Sequence, residues 1–324
     1  MDSDLLTTAL QDFGMSGMFY AVSDLSAPWG IDIPPLPSML TFHLLTEGSA
    51  PALVEVEEER HWFTPGEVLL VPHGTGHSIR DDVRSRCTPL FDLPREELTD
   101  RYERIRIDGG GAPSTLICGA VTFSGLAVGR LVRSLPACLV ASGADAQWQR
   151  AAMDVIAAES RNPRPGSDVV TARLADVLVV QAIRSWLESS PPERGWAAAV
   201  HDPAVGAALV AFHADPARAW TLQSLAAEAG MSRSAFAARF VALLGEPVMS
   251  YVTSWRMDLA ARLVCEGGLP LSRVAERVGY QSEAAFNRAF RRTHGCTPGV
   301  FARRGPKFVD RIDLERPLPA LVRG

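Results

Sequence analysis

Two stretches of the chain, LAAEAGMSRSAFAARFVALLG at 225–245 and VAERVGYQSEAAFNRAFRRTHG at 274–295, repeat one pattern. Each copy contains a glycine, then a serine, then two phenylalanines four residues apart: Gly230, Ser232, Phe236 and Phe240 in the first, and Gly279, Ser282, Phe286 and Phe290 in the second. The glycine supplies the positive φ that ends one helix, and the serine hydroxyl caps the next helix by accepting backbone N–H bonds. The sequence therefore predicts two helix-turn-helix motifs in tandem.

The segment between the two copies, from Pro247 to Cys265, reads as one long helix, VMSYVTSWRMDLAARLVC. At a rise of about 1.5 Å per residue, such a helix spans roughly 28 Å. Successive major-groove faces of DNA lie about 34 Å apart along one side of the duplex. The linking helix is therefore predicted to place the second helix of each motif on one face of the DNA, one turn apart.

The net charge of the chain is unevenly distributed. The whole chain has 324 residues and a formal charge of −5, but 217–305 carries +6, which leaves −11 on the remainder. A basic segment attracts the phosphates of a nucleic acid, and an acidic remainder is repelled by them. This asymmetry favours a nucleic-acid reader joined to a domain with another task, although a basic surface patch would give the same count.

The repeated region resembles the DNA-binding domain of the AraC/XylS family of bacterial transcription regulators. The resemblance covers 220–304 and is most specific in GYQSEAAFNRAFRR, at 279–292, followed by TPGVF. It implies binding to double-stranded DNA, with RNA polymerase as a further partner. Residue by residue, the resemblance places these side chains against the bases: Arg233, Ser234, Ala237 and Ala238 in the first recognition helix, and Glu283, Ala284, Asn287 and Arg288 in the second. The two alanines limit the first helix to methyl contacts or phosphate anchoring at those positions.

The amino-terminal part reads as short strands from about 38 to 107, rich in β-branched and aromatic residues and separated by turn residues. STLICGAVTF and GLAVGRL continue the strand pattern to about Leu131, and Pro136 ends it. Many short strands with such turns are typical of an antiparallel barrel or sandwich. We therefore expect an α+β chain with an amino-terminal antiparallel β-barrel, a helical linker and an all-α tandem helix-turn-helix domain.

A helical pattern follows from Ala144, and a second helix is predicted from Asp168 to Glu188. The second helix carries a broad apolar stripe: Val170, Leu174, Val177, Leu178, Gln181, Ala182 and Trp186. Such a stripe has to be covered, either by the sheet domain or by a second subunit. Between these alternatives we favour a homodimer surface.

The strand region also resembles a cupin barrel, because 66–77 fits the second cupin motif, G-x5-P-x-G-x-x-H, and His43 lies in a TFHLLTEG segment like the first. The resemblance implies a zinc site made by His43, His77 and Cys118, with Glu47, His73 or Cys87 as a fourth ligand. Thr41 replaces one cupin histidine, so the full ligand set is absent. Two alternatives stay open: the histidines are hydrogen-bonded core residues, or Cys118 is a redox-sensing thiol.

The domain boundaries that follow are 1–136 for a cupin-like sensor, 144–190 for a helical dimerisation segment, 196–305 for the DNA-binding domain and 306–324 for a tail.

Asp2 and Asp4 argue against a secretory signal, and no apolar stretch predicts a membrane span, so we expect a bacterial cytoplasmic protein. The predicted function is a non-enzymatic transcription regulator, an activator or a repressor, controlled by a metal or by an unknown small-molecule effector. The rivals are a metal-dependent cupin enzyme and an architectural DNA-binding protein.

Overall fold

The computed structural model describes residues 15–37, 39–48, 50–99, 102–123, 126–141, 146–190 and 192–304. Their contacts divide them into two units, a sheet unit within 15–123 and 135–190 and a helical unit within 126–134 and 192–304. The α+β class, with amino-terminal sheets and carboxy-terminal helices, is confirmed. The predicted tail, 306–324, lies outside the described residues.

The strands of the sheet unit are short because turns interrupt them every few residues, as the sequence pattern indicates. They are β1 Met15–Ser26, β2 Gly30–Ile33, β3 Leu40–Gly48, β4 Ala52–Val56, β5 Glu59–Phe63, β6 Val68–Val71, β7 His77–Arg80, β8 Thr88–Pro89, β9 Arg95–Thr99, β10 Tyr102–Asp108, β11 Pro113–Phe123 and β12 Leu139–Ala141, with a 3-10 turn at Leu90–Asp92. β1 and β2 were not predicted, because the strand pattern was recognised only from residue 38 onward.

The described strands form two open sheets and not the closed barrel that we expected. One sheet has the order β12-β6-β3-β11-β1-β10-β9, and the other has the order β5-β4-β7-β2-β8. Pairing is antiparallel except between β1 and β10 and between β2 and β8. β8 is two residues long and ends at Pro89, whose nitrogen has no hydrogen to donate to a further strand. The edge of the smaller sheet therefore stays open.

Between β11 and β12 the predicted strand GLAVGRL is wrong, because the chain forms helix α1, Leu126–Arg133. Its buried residues are Ala127, Val128, Leu131 and Val132, a spacing that lies on one helical face and not on one face of a strand. By its contacts α1 belongs to the helical unit, although strands of the sheet unit flank it on both sides.

Two helices complete the sheet unit, α2 at Ala146–Arg161 and α3 at Ser167–Ser189. α2 packs against α3 and β3, and α3 packs against β6 and β12. The buried face of α3 is centred on Ala175, Leu178, Val179 and Ala182. Of the predicted stripe, Leu178 and Ala182 are buried, and Val170 and Val177 remain exposed.

The helical unit contains both predicted motifs, and its helices end where the sequence signals place them. They are α1, then α4 Trp196–His201, α5 Pro203–Ala214, α6 Leu222–Glu228, α7 Arg233–Leu244, α8 Val248–Glu266, α9 Leu271–Arg277, α10 Glu283–His294 and α11 Pro298–Arg304. The first motif is α6 and α7, the second is α9 and α10, and α8 joins them.

No single helix of the described residues is long and apolar enough to cross a membrane. The bent pair α7 and α8 together has the length and composition of a membrane span, on those two criteria alone.

Candidate functional site

The three residues predicted to bind zinc meet in the interior of the sheet unit. His43 lies on β3, directly opposite Cys118 on β11 in the antiparallel register of the larger sheet. His77 lies at the start of β7 in the smaller sheet, opposite Ile33. Cross-strand neighbours are close enough to touch, so the register itself brings His43 to Cys118. The contact with His77 then links one sheet to the other.

The contacts form a line of hydrogen bonds. Cys118 Sγ lies 3.0 Å from His43 Nδ1, and His43 Nε2 lies 2.8 Å from His77 Nε2. At the far end His77 Nδ1 lies 2.9 Å from the carbonyl oxygen of Thr75. Both imidazoles are buried, His43 at 2% and His77 at 4% exposure. We call His77, His43 and Cys118 the histidine relay.

The protons of the relay can be assigned from the terminal carbonyl. A carbonyl oxygen only accepts, so His77 Nδ1 donates to Thr75. Burial lowers the pKa of His43 and of His77, which keeps both rings neutral, with one N–H each. His77 Nε2 must then accept from His43 Nε2, and His43 Nδ1 must accept from the Cys118 thiol. Every polar group of the relay is thereby satisfied with all members neutral.

A cavity of about 50 Å³ lies beside the relay, between the two sheets. A cavity needs about 10–15 Å³ on this measure to hold one water, so this one has room for a few non-hydrogen atoms. Its walls are mainly apolar: Ala21, Ile31, Ile33, Leu36, Leu90, Ile105, Gly119 and Ala120, together with Ser23, Thr41, His43 and Cys118. The hydroxyl of Ser23 is completely buried and has no hydrogen-bond partner among the described residues. The cavity therefore offers one unsatisfied polar group in apolar surroundings.

The relay does not fit a zinc ion in this arrangement. Two nitrogens on one tetrahedral zinc lie about 3.3 Å apart, given Zn–N distances of about 2.0–2.1 Å. The His43 and His77 nitrogens are closer than that, and Cys118 faces the other nitrogen of His43. Across the described residues no group of three or more His, Cys, Asp or Glu side chains could hold a metal ion. The physical reason is that His43 uses its two nitrogens in opposite directions, so the three side chains do not converge.

Among the described residues, neither His73 nor Cys87 completes a site as the proposed fourth ligand. His73 is exposed, and its Nε2 lies 3.0 Å from the carbonyl oxygen of Leu135. Cys87 lies beside Gly30, and the side chain of Glu47 is outside the described residues. Burial raises the pKa of the Cys118 thiol well above its usual range, which disfavours the redox-sensing alternative because the thiolate is the reactive form.

In the helical unit, the two motifs have the predicted turn chemistry. Gly230 and Gly279 have φ of +64° and +80°. The hydroxyl of Ser232 accepts from Ala235 N at 3.3 Å, and that of Ser282 accepts from Ala285 N at 3.2 Å. The paired phenylalanines of each copy are buried: Phe236, Phe240, Phe286 and Phe290. α7 and α10 therefore begin at their caps with their first turns facing away from the core.

The predicted base-facing residues lie on those free surfaces. Arg233, Ser234 and Ala238 are exposed on α7, and Ala237 is half-buried. On α10 Glu283, Ala284 and Arg288 are exposed and Asn287 is half-buried. None of the eight is buried, as groove contact requires.

Two functional features were missed from the sequence. Ser23 went unnoticed because β1 was not recognised. Asp202 caps α5 by accepting from Ala204 N and Val205 N, and it also accepts from Arg239 Nε at 2.6 Å, so it fixes the side of α7. The Asp-Pro pair at 202–203 is a usual start of a helix and was the available signal.

Comparison with protein families gives two matches, the first of which includes α1. Residues 4–188 match a family described as Cupin, and residues 225–304 match a family described as Helix-turn-helix domain. The first match covers more than half of the chain and includes the histidine relay. The second covers both recognition helices and α8.

Whole-chain relatives exist among known proteins. A protein of Streptomyces lividans described as an AraC-like transcription regulator is 38% identical over 276 residues, 82% of this chain and 87% of its own length. The RCS-specific HTH-type transcriptional activator RclR of Escherichia coli is 30% identical over 268 residues, 82% of this chain and 85% of its own. The DNA-binding domain of AdpA, solved in complex with a target DNA, is 29% identical over 32% of this chain and 92% of its own, with a TM-score of 0.30. This chain belongs to the AraC family of DNA-binding transcription regulators and carries a cupin domain ahead of its helix-turn-helix domain.

Proposed function

We propose that this regulator binds DNA through α7 and α10 and that a small effector in the interior cavity controls the binding. The observation that carries the proposal is the unpartnered hydroxyl of Ser23 beside the relay, because an unsatisfied buried hydroxyl has a free energy cost that a ligand can remove. The effector class that suits these walls is a neutral molecule of a few non-hydrogen atoms with one hydrogen-bonding group. A charged effector would lack a charged partner in this lining.

For DNA recognition, the second motif supplies the larger polar side chains. Arg288 can form a bidentate contact to guanine, and Asn287 is suited to adenine. In the first motif Arg233 and Ser234 are suited to phosphates or to one base edge, while Ala237 and Ala238 offer only methyl groups. Specificity is therefore expected to depend more on α10 than on α7.

The DNA proposal is tested on a duplex selected by the wild-type protein from a random-sequence pool. Methylation interference should show two contacted major-groove segments per chain, centred about 10–10.5 bp apart. Arg288→Ala should lose about 1–3 kcal/mol of discrimination between that duplex and a scrambled one. The matched control is Arg173→Ala, which removes an equal charge at an exposed arginine of the sheet unit. Equal losses on both duplexes would mean that Arg288 contacts only phosphate.

We also propose that the regulator is a homodimer through α2 and α3. Val155 on α2 and Val169, Val170 and Val177 on α3 are 40–58% exposed, a concentration of aliphatic side chains that suits a second copy of the same surface. Val170→Glu with Val177→Glu should give monomers in sedimentation equilibrium while leaving the circular dichroism spectrum unchanged. Dimers that persist in this variant would place the contact elsewhere.

The remaining parts of the proposal follow from the family. They are action in the bacterial cytoplasm, activation through RNA polymerase and no catalysis. Zinc stays a prediction: metal analysis of purified protein decides it, since stoichiometric zinc that is lost in His77→Ala would require the His43 ring to turn.

A further inference from the structure

Helix α1 is the unusual element of the helical unit, because it comes from the middle of the sheet unit's chain. It begins three residues after β11 ends, and β11 carries Cys118, Gly119 and Ala120 along the cavity wall. Within the helical unit α1 packs against α4 and α8. Val128 and Leu131 are completely buried there. The strand that lines the cavity therefore continues into a helix that belongs to the DNA-binding core.

Arg130 of α1 contacts one face of α8 over two turns. Its Nη2 lies 3.0 Å from Ser254 Oγ and 3.3 Å from Asp258 Oδ2. Its guanidinium carbon lies 4.5 Å from the centre of the Tyr251 ring and 5.3 Å from that of Trp255. The spacing 251, 254, 255 and 258 is that of a single helical face. One side chain thus holds α1 in register with α8.

The charge of Arg130 is buried and balanced. The side chain is 10% exposed, and it lies between Asp258 and Glu246, whose Oε1 is 3.6 Å from Nη1. Burial raises the pKa of the Asp258 carboxyl, and Arg130 opposes that effect. Removing one member of such a group leaves an uncompensated buried charge, so the contact has a single favourable geometry. That property suits a residue that fixes a position.

The same face of α8 also contacts α4 and α5. The Tyr251 hydroxyl lies 3.1 Å from Trp196 Nε1 on α4 and 2.9 Å from His213 Nε2 on α5. The His213 ring stacks on Trp255, with ring centres 3.8 Å apart. Because α8 joins the two motifs, a shift of this face changes the spacing of α7 and α10.

We propose that α1 transmits the state of the cavity to α8 and that Arg130 is the positioning residue of this connection. The inference rests on the proposed effector control. A shift of β11 on filling the cavity pulls on the start of α1, and the Arg130 contacts pass that shift to the helix between the recognition helices. Without these contacts, filling the cavity would no longer change the DNA affinity of the helical unit.

The test is a double-mutant cycle on DNA affinity in the full-length chain. Ala120→Leu fills the cavity from β11, and the probe is the duplex selected by the wild-type protein. In the wild-type background we expect Ala120→Leu to change the Kd by about 5- to 150-fold, the usual range of coupling between sites. With Arg130→Met combined with Asp258→Leu, a volume-preserving apolar replacement, we expect less than a twofold change. Arg130→Lys keeps the positive charge but loses the planar guanidinium with its several donors. In this background the change in Kd caused by Ala120→Leu should be intermediate.

The outcomes separate this inference from the function on which it rests. If Ala120→Leu changes the Kd equally in both backgrounds, effector control stands and the role of Arg130 is overturned. If it changes nothing in the wild-type background, both are overturned. The control is Arg262→Met, which removes an exposed arginine of α8 paired with Glu266 at 3.5 Å, and it should leave the response to Ala120→Leu intact.

Discussion

Each unit of this regulator buries neutral histidine in a hydrogen-bonded network, but the two networks differ in what surrounds them. In the sheet unit His43 and His77 connect two sheets beside a cavity of about 50 Å³. In the helical unit His213 stacks on Trp255 and bonds Tyr251, and a void of about 10 Å³ lies beside Phe212 and Tyr251. The cavity beside the first network has room for a few non-hydrogen atoms, and the void beside the second is at the lower limit of the volume that one water needs.

This difference indicates how the two units divide the work. A unit with an internal void and an unpartnered hydroxyl can change its occupancy without unfolding. Side chains in a closely packed interior have few alternative positions, so such an interior moves as a body. The sheet unit is therefore suited to detect a molecule, and the helical unit is suited to hold two recognition helices at a fixed spacing.

The largest expected effect is a difference in unfolding free energy between substitutions in the interiors of the two units. Phe286→Ala removes a completely buried ring from the second motif, where no neighbour can fill the space, and should cost about 3–5 kcal/mol of unfolding free energy. Ala120→Leu adds three carbons next to the sheet-unit cavity, which can accept part of them, and should cost less than the about 1–3 kcal/mol usual for adding carbons to a packed core. Urea unfolding followed by circular dichroism measures both. A similar cost for the two changes would mean that the cavity is not available space.

The sequence predicted the helical unit well because its signals are local. A glycine, a serine cap and two phenylalanines determine each motif within about 20 residues, and none of the eight residues predicted to face the bases is buried. The sheet unit depends on contacts between distant strands. From the sequence we predicted correctly that His43, His77 and Cys118 lie close together. The directions in which the two imidazole rings point depend on strand register and sheet packing, which no local sequence pattern specifies.

The errors have different origins. GLAVGRL was interpreted as a continuation of the strand before it, although leucine, alanine and arginine are strong helix formers and its buried residues lie on one helical face. The barrel prediction failed at β8, where Pro89 ends the pairing. Arg130 gave no signal at all, since its partners Ser254 and Asp258 are more than 120 residues away.

The second prediction concerns pH and compares the buried histidines of the two units. Burial lowers the pKa of His43 and His77, and it lowers that of His213 to about 3. The unfolded chain binds these protons at about pH 6.5, whereas the folded chain does not. The free energy of unfolding therefore has its full value above about pH 6.5. Below that pH it falls, by up to about 1.4 kcal/mol per pH unit for each histidine.

The measurement is the urea midpoint between pH 7.5 and 5.5, a range that largely avoids the carboxylates. His213→Gln should remove the pH dependence of the helical unit, and His43→Gln should remove part of that of the sheet unit. Both units should lose unfolding free energy as the pH falls, because each contains buried histidine whose pKa is lowered by burial. A midpoint that does not change over this range would show that the histidines are already charged in the folded chain.

The smallest changes in unfolding free energy are expected when three serine hydroxyls are removed, two in the helical unit and one in the sheet unit. Ser232 and Ser282 each accept one backbone N–H at a helix start, so Ser232→Ala and Ser282→Ala should each cost about 1 kcal/mol, while the corresponding glycine variants cost only a few tenths. Ser23 is equally a serine, but its buried hydroxyl has no partner among the described residues. Ser23→Ala should therefore leave the unfolding free energy unchanged or raise it slightly, because a desolvated hydroxyl is removed. A loss at Ser23 as large as at the two caps would mean that its hydroxyl is already satisfied, and the cavity would then lack the polar group on which effector binding depends.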